Sequence, residues 1–92
     1  MNDQAHSNQI PKEKLLPLLS KAQAGANEAM AEIYNLFFER VYRFIFYRVS
    51  HKETAEDLTE DVFVKLFKNL RKLQELKAFE GWLFQIARNQ VI

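Results

Sequence analysis

Apolar positions recur along this chain at i, i+3 and i+4, with polar residues filling the intervals, so the pattern predicts helices almost throughout. A short first helix is expected from about Lys12 to Ala24. Pro17 fits best in a first turn, where no backbone N–H is needed, which moves the expected start toward Leu16. Gly25 supplies a stop, and Asn27 is the expected N-cap of the next helix. That second helix, about 28–49, carries Met30, Ile33, Phe37, Val41, Phe44 and Ile45 on one stripe. Tyr34, Phe38, Tyr42, Phe46 and Tyr47 add a second apolar flank. So wide an arc implies burial against more than one neighbour, which makes this the central helix. Ser50 with Glu53 matches a capping box and opens a third helix, whose predicted buried stripe is Ala55, Leu58, Val62, Leu66, Phe67, Leu70 and Leu73. The period breaks over Leu73–Lys77, a connector. A last helix from near Ala78 is expected to bury Phe79, Trp82, Leu83, Ile86 and Ala87. The predicted fold is all-α, a compact three- to four-helix bundle over residues 11–92, behind a disordered tail at 1–10.

Composition narrows the classes. Ninety-two residues make one small domain, and 48% hydrophobic residues with eight Phe allow a real core. Without cysteine there is neither a disulfide framework nor a thiolate metal site. Met1 to Gln9 lacks the apolar region of a signal peptide, and Arg40, Arg43 and Arg48 interrupt the longest apolar stretches, so no segment is expected to enter a membrane. An intracellular protein is expected. The last residues, Val91 and Ile92, stand inside a helical pattern without a cap, so the sequence is expected to be one domain of something longer.

Charge changes the picture more than composition does. A net charge of +1 hides two opposed regions. Glu53, Glu56, Asp57, Glu60 and Asp61 crowd the first turns of the third helix, whereas Lys65, Lys68, Arg71, Lys72 and Lys77 follow against only Glu75. The helix macrodipole favours this order, and a solvated helix start is the bland explanation of the carboxylates. Two different partners, one basic and one polyanionic, are the alternative. Neither His6 nor His51 has a second histidine or a carboxylate at a useful spacing, and Ser20 and Ser50 have no activating base. No metal, cofactor or catalysis is therefore expected.

The ordered set Ala55-Glu56-Asp57-Leu58-Thr59-Glu60-Asp61-Val62-Phe63, Lys65-Leu66-Phe67-Lys68-Asn69-Leu70 and Ala78-Phe79-Glu80-Gly81-Trp82-Leu83-Phe84-Gln85-Ile86-Ala87-Arg88-Asn89 resembles the second conserved region of bacterial RNA polymerase sigma factors. The nearest likeness is to the extracytoplasmic-function group. Upstream, Ala24 to Met30, Glu32 to Tyr34 and Arg40 to Tyr42 resemble that family's leading helices. The resemblance implies a cytoplasmic transcription-initiation domain with two partners. One is the β′ subunit of core RNA polymerase, whose basic clamp helices would meet Asp57, Glu60 and Asp61. The other is the non-template strand of the promoter's minus-ten element. An anti-sigma factor is a further partner known in the group, and the family's second DNA-reading domain, specific for the minus-thirty-five element, is absent from this sequence.

By the same resemblance Asn69, Leu73, Ile86 and Asn89 form a pocket for a base that has left the stack, with Asn89 suited to its edge. Lys65, Lys68, Arg71, Lys72, Lys77 and Arg88 are candidate phosphate partners, of which two or three are expected to do nothing specific. Two positions depart from the family: Glu60 stands where Gln is common, and Leu73 where an aromatic often sits. Trp82 is expected as a core anchor rather than a stacking platform. The competing class is a helical interaction module that binds a basic partner without recognising DNA.

Overall fold

The computed structural model describes residues 10–91, so the expected tail at 1–10 lies outside the described residues except for Ile10, which packs on the core. Four α-helices follow: α1 (Lys12–Gln23), α2 (Asn27–Val49), α3 (Lys52–Asn69) and α4 (Phe79–Gln90). The predicted all-α bundle is the observed one, and there is no strand among the described residues.

The helix ends differ from expectation in instructive ways. α1 begins at Lys12, with the Pro11 carbonyl accepting from the N–H groups of Lys14 and Leu15, both at 2.9 Å. Pro17 sits inside the helix and not in its first turn. Its missing N–H orphans the Glu13 carbonyl, which water can satisfy because both residues are exposed. Burial of Leu15, Leu19 and Ala22 on the other face holds the helix together across that defect. Gly25 ends α1 as predicted, at φ 99°, and the Ala26 and Gly25 N–H groups reach back to the carbonyls of Lys21 and Ala22 at 3.1 and 3.0 Å. This double closure is a Schellman turn. It leaves Ala26 extended as N-cap of α2, so Asn27 becomes the first helical residue and caps nothing.

The junction of α2 and α3 also corrects the sequence reading. Ser50 is the left-handed C-cap of α2 (φ 54°), with its N–H on the Phe46 carbonyl at 2.8 Å. His51 takes the N-cap of α3, where its Nδ1 accepts from the Thr54 N–H at 3.2 Å. No Ser50–Glu53 capping box forms. The link between the helices is so short that Ser50 is used up in ending the first of them.

Packing then follows. The buried face of α3 is Ala55, Thr59, Val62, Phe63 and Leu66, followed by Leu70 beyond its end. Leu58, Phe67 and Leu73 are only half-buried. Thr59 was unexpected in the stripe. Its hydroxyl donates to the Ala55 carbonyl at 2.7 Å, which removes the penalty of burying it. α2 is central as predicted, packing on all three other helices, with Ala29, Ile33, Phe37, Val41 and Ile45 buried and Met30 and Phe44 half-buried.

α4 starts against the middle of α2 and ends against α3. Phe79 meets Phe37 edge-on at 5.4 Å, Glu80 pairs with Arg40 at 3.1 Å, and Phe84 meets Phe44 at 5.5 Å. At the far end Gln90 accepts from Lys65 Nζ. Phe79, Leu83 and Ala87 are buried, whereas Trp82 and Ile86 are half-buried against the core. The connector contains two 3₁₀ turns, Leu70–Lys72 and Leu76–Ala78, and both pack along α1. No helix among the described residues is long and apolar enough to cross a membrane.

Candidate nucleic-acid and protein interfaces

The acidic surface lies on the first turns of α3, and the cationic one runs from the end of α3 through the connector to α4. Glu53, Glu56, Asp57, Glu60 and Asp61 are all exposed, and among the described residues none of them takes part in an ion pair. Asp57, Glu60 and Asp61 stand at i, i+3 and i+4 and so share one face. The structure adds a neighbour to that face. Tyr34 of α2 donates its hydroxyl to Glu60 Oε2 at 2.6 Å. The hydrogen bond to Glu60, then burial and the carboxylate's charge, push the Tyr34 phenol up to about 12. Phe38 and Phe63, with ring centroids 5.2 and 5.0 Å away, clamp the Tyr34 ring. Glu60 is thus the one member of the acidic trio fixed by a second helix. Gln at this position could accept the same bond but would bring no charge.

The cationic surface begins one turn later. Lys68, Arg71, Lys72, Lys77 and Arg88 are exposed, with no ion pair among the described residues. Lys65 is exposed as well but donates to Gln90, and Arg88 donates to Gln85 at 3.2 Å. Among the described residues, the two cations that do form ion pairs, Arg40 and Arg43, belong to α2 and lie outside the predicted set.

The four predicted pocket residues fall into two pairs. Asn69 closes α3, folding its Nδ2 back onto the Lys65 carbonyl at 2.8 Å, and Leu73 follows, half-buried, in the connector. Ile86 and Asn89 belong to the last two turns of α4, the first half-buried and the second exposed. Asn89 Oδ1 accepts from Gln85 at 3.3 Å, a long bond that a better partner can displace. The Lys65–Gln90 bond joins the turn that holds Asn69 to the turn that holds Asn89. None of the four lines the groove of about 230 Å³ between α1 and the connector, whose lining includes Leu15, Leu16, Leu76, Phe79 and, of the predicted residues, Lys77.

One residue was missed altogether. Gln23, at the end of α1, donates through Nε2 to the carbonyls of Leu70 and Leu73 at 2.9 and 2.8 Å. No local pattern could have disclosed it, because its partners lie 47 and 50 residues away. His51, considered as a base, is occupied as a helix cap. Among the described residues no group of three or more His, Asp or Glu side chains is disposed to hold a metal ion.

The described residues thus form an all-helical domain with an acidic face and a cationic end that make no ion pairs with one another, and comparison with known proteins identifies its class. Residues 33–92 match the family model Sigma-70 region 2. Over 79 residues the chain is 38% identical to the ECF RNA polymerase sigma factor BldN of Streptomyces coelicolor, covering 85% of this chain and 30% of that protein. Over 61 residues it is 36% identical to the ECF RNA polymerase sigma factor SigM of Bacillus subtilis, covering 66% of this chain and 37% of the relative. RNA polymerase sigma factor YlaC of Bacillus subtilis is 29% identical over 65 residues, with 71% and 38% covered. The chain thus spans about a third of the length of these relatives. No solved structure matches it. The chain belongs to the Sigma-70 region 2 family, and the BldN and SigM relatives are ECF RNA polymerase sigma factors.

Proposed function

We propose that this domain serves transcription initiation in the bacterial cytoplasm by holding RNA polymerase with the start of α3 and promoter DNA with the region from the end of α3 through the connector to α4, without catalysis of its own. Asp57, Glu60 and Asp61 dock on the basic clamp helices of the β′ subunit. Charge-assisted bonds to arginine are the strong kind available at such a surface. Lys68, Arg71, Lys72, Lys77 and Arg88 neutralise phosphates, while Asn89, backed by Ile86, Asn69 and Leu73, takes the edge of an unstacked base of the minus-ten element.

The observation that carries this reading is the separation of unpaired charge between the first turns of α3 and the region from its end to α4. Carboxylates and ammonium groups one or two turns apart would readily neutralise one another. Here the carboxylates of the first turns and the cations beyond the last are each left for something else.

Binding to single-stranded oligonucleotides that vary each base of a candidate minus-ten motif tests the DNA half. Asn89→Ala should lower affinity for the preferred strand by roughly 1–3 kcal/mol and flatten discrimination at one base. Lys72→Ala should weaken all sequences alike and reduce the salt slope by about 0.7. Equal weakening of every oligonucleotide by Asn89→Ala would remove the base-reading assignment.

A further inference from the structure

The connector that carries Leu73 closes on itself through two short 3₁₀ turns. Its backbone closure includes the Leu73 N–H on the Leu70 carbonyl at 3.1 Å in the first 3₁₀ turn, and the Ala78 and Phe79 N–H groups on the Glu75 and Leu76 carbonyls in the second. Such turns are poorly stabilised by themselves. The Leu70 and Leu73 carbonyls mark the two ends of the segment in which the chain leaves α3. Gln23 Nε2 spans both. An amide nitrogen with two N–H groups matches two acceptors, one hydrogen for each.

Gln23 is itself held. It occupies the last turn of α1, next to buried Ala22 and two residues before the Schellman turn at Gly25, so its backbone cannot drift. It is also half-buried, which strengthens its bonds relative to exposed ones. α1 precedes the stretch that matches the family model, which begins at residue 33.

We infer that Gln23 is a positioning residue for DNA reading: α1 presets the shape of the Leu70–Leu73 segment through this amide, and so sets where Leu73 stands relative to Asn89 before any base arrives. The inference rests on the DNA-reading proposal above for its functional half. Its structural half stands independently, because a preset segment must resist opening whether or not DNA is present. Gln23 contacts no base. Its effect is on selectivity, through the loop.

The test uses the 92-residue chain with Gln23→Met, which keeps length and removes both donors, and with Gln23→Glu, which presents carboxylate oxygens to two carbonyls. Amide hydrogen exchange at Leu73 and Ala78 should accelerate about tenfold in Gln23→Met and further in Gln23→Glu, while α2 and α3 amides keep their protection. Discrimination between oligonucleotides differing at the captured base should fall severalfold, with the salt slope unchanged, because no phosphate contact is lost. Unchanged exchange at Leu73 and Ala78 overturns the tether. Faster exchange with unchanged discrimination, where Asn89→Ala does flatten it, overturns the positioning role alone. If neither Asn89→Ala nor Gln23→Met affects discrimination, the DNA-reading proposal falls and takes the positioning role with it.

Discussion

Tyr34 and Glu60 belong to different helices, yet their hydrogen bond is the shortest polar contact on the acidic face, and it gives that face a measurable signature. Because the folded phenol ionises near pH 12 instead of 10, the bond's contribution to stability is fully present below pH 10 and is lost as pH rises through 12. Absorbance titration should therefore find one late-ionising tyrosine, and Glu60→Ala should bring it down. A late step that survives Glu60→Ala would show that the shift has another cause. The junction residues offer a second test. His51→Ala removes a cap and should cost about 1 kcal/mol in urea denaturation. Ser50→Gly should instead stabilise by roughly 0.5 kcal/mol, since Ser50 occupies a left-handed conformation that glycine adopts freely. The capping-box pattern predicts the reverse for Ser50. That pattern was legible but misleading, because Ser-x-x-Glu says nothing about where the previous helix stops.

At the scale of elements, the helices were legible in the sequence and their ends much less so. Helices are set by a periodic stripe tens of residues long, and errors at single positions average out. Ends are set by one or two residues that two neighbouring helices compete for, as at Ala26, Asn27 and Ser50. Side-chain roles that depend on distant elements were invisible for the same reason. Gln23 and Tyr34 find their partners only once α1 meets the connector and α2 meets α3. The charged candidates could be singled out beforehand, and their exposure expected, because their types and spacing are local. Pro17 shows burial overriding propensity. A proline inside α1 survives because Leu15, Leu19 and Ala22 anchor the opposite face. Pro17→Ala should restore the missing bond to the Glu13 carbonyl and stabilise the chain by about 2 kcal/mol, read from the shift of the denaturation midpoint. An unchanged midpoint would mean that the proline is accommodated without cost.

For the whole molecule, the acidic and cationic surfaces should be separable by mutation. Replacing Asp57 and Asp61 with Ala should weaken binding to core polymerase by on the order of 1.5–3 kcal/mol each, measured by fluorescence anisotropy. It should leave the thermal melt and the oligonucleotide discrimination unaltered, because both side chains are exposed and make no ion pair among the described residues. Undiminished affinity for polymerase would remove the docking assignment. The separation of charge along α3 has a consequence for kinetics as well. Opposite charges at the two ends give the domain an electrical axis, so each approaching partner turns it before touching it. Encounter, and not residence, is then the step that salt should slow. Raising ionic strength should depress the association rate toward polymerase and toward DNA alike, with dissociation rates changing far less.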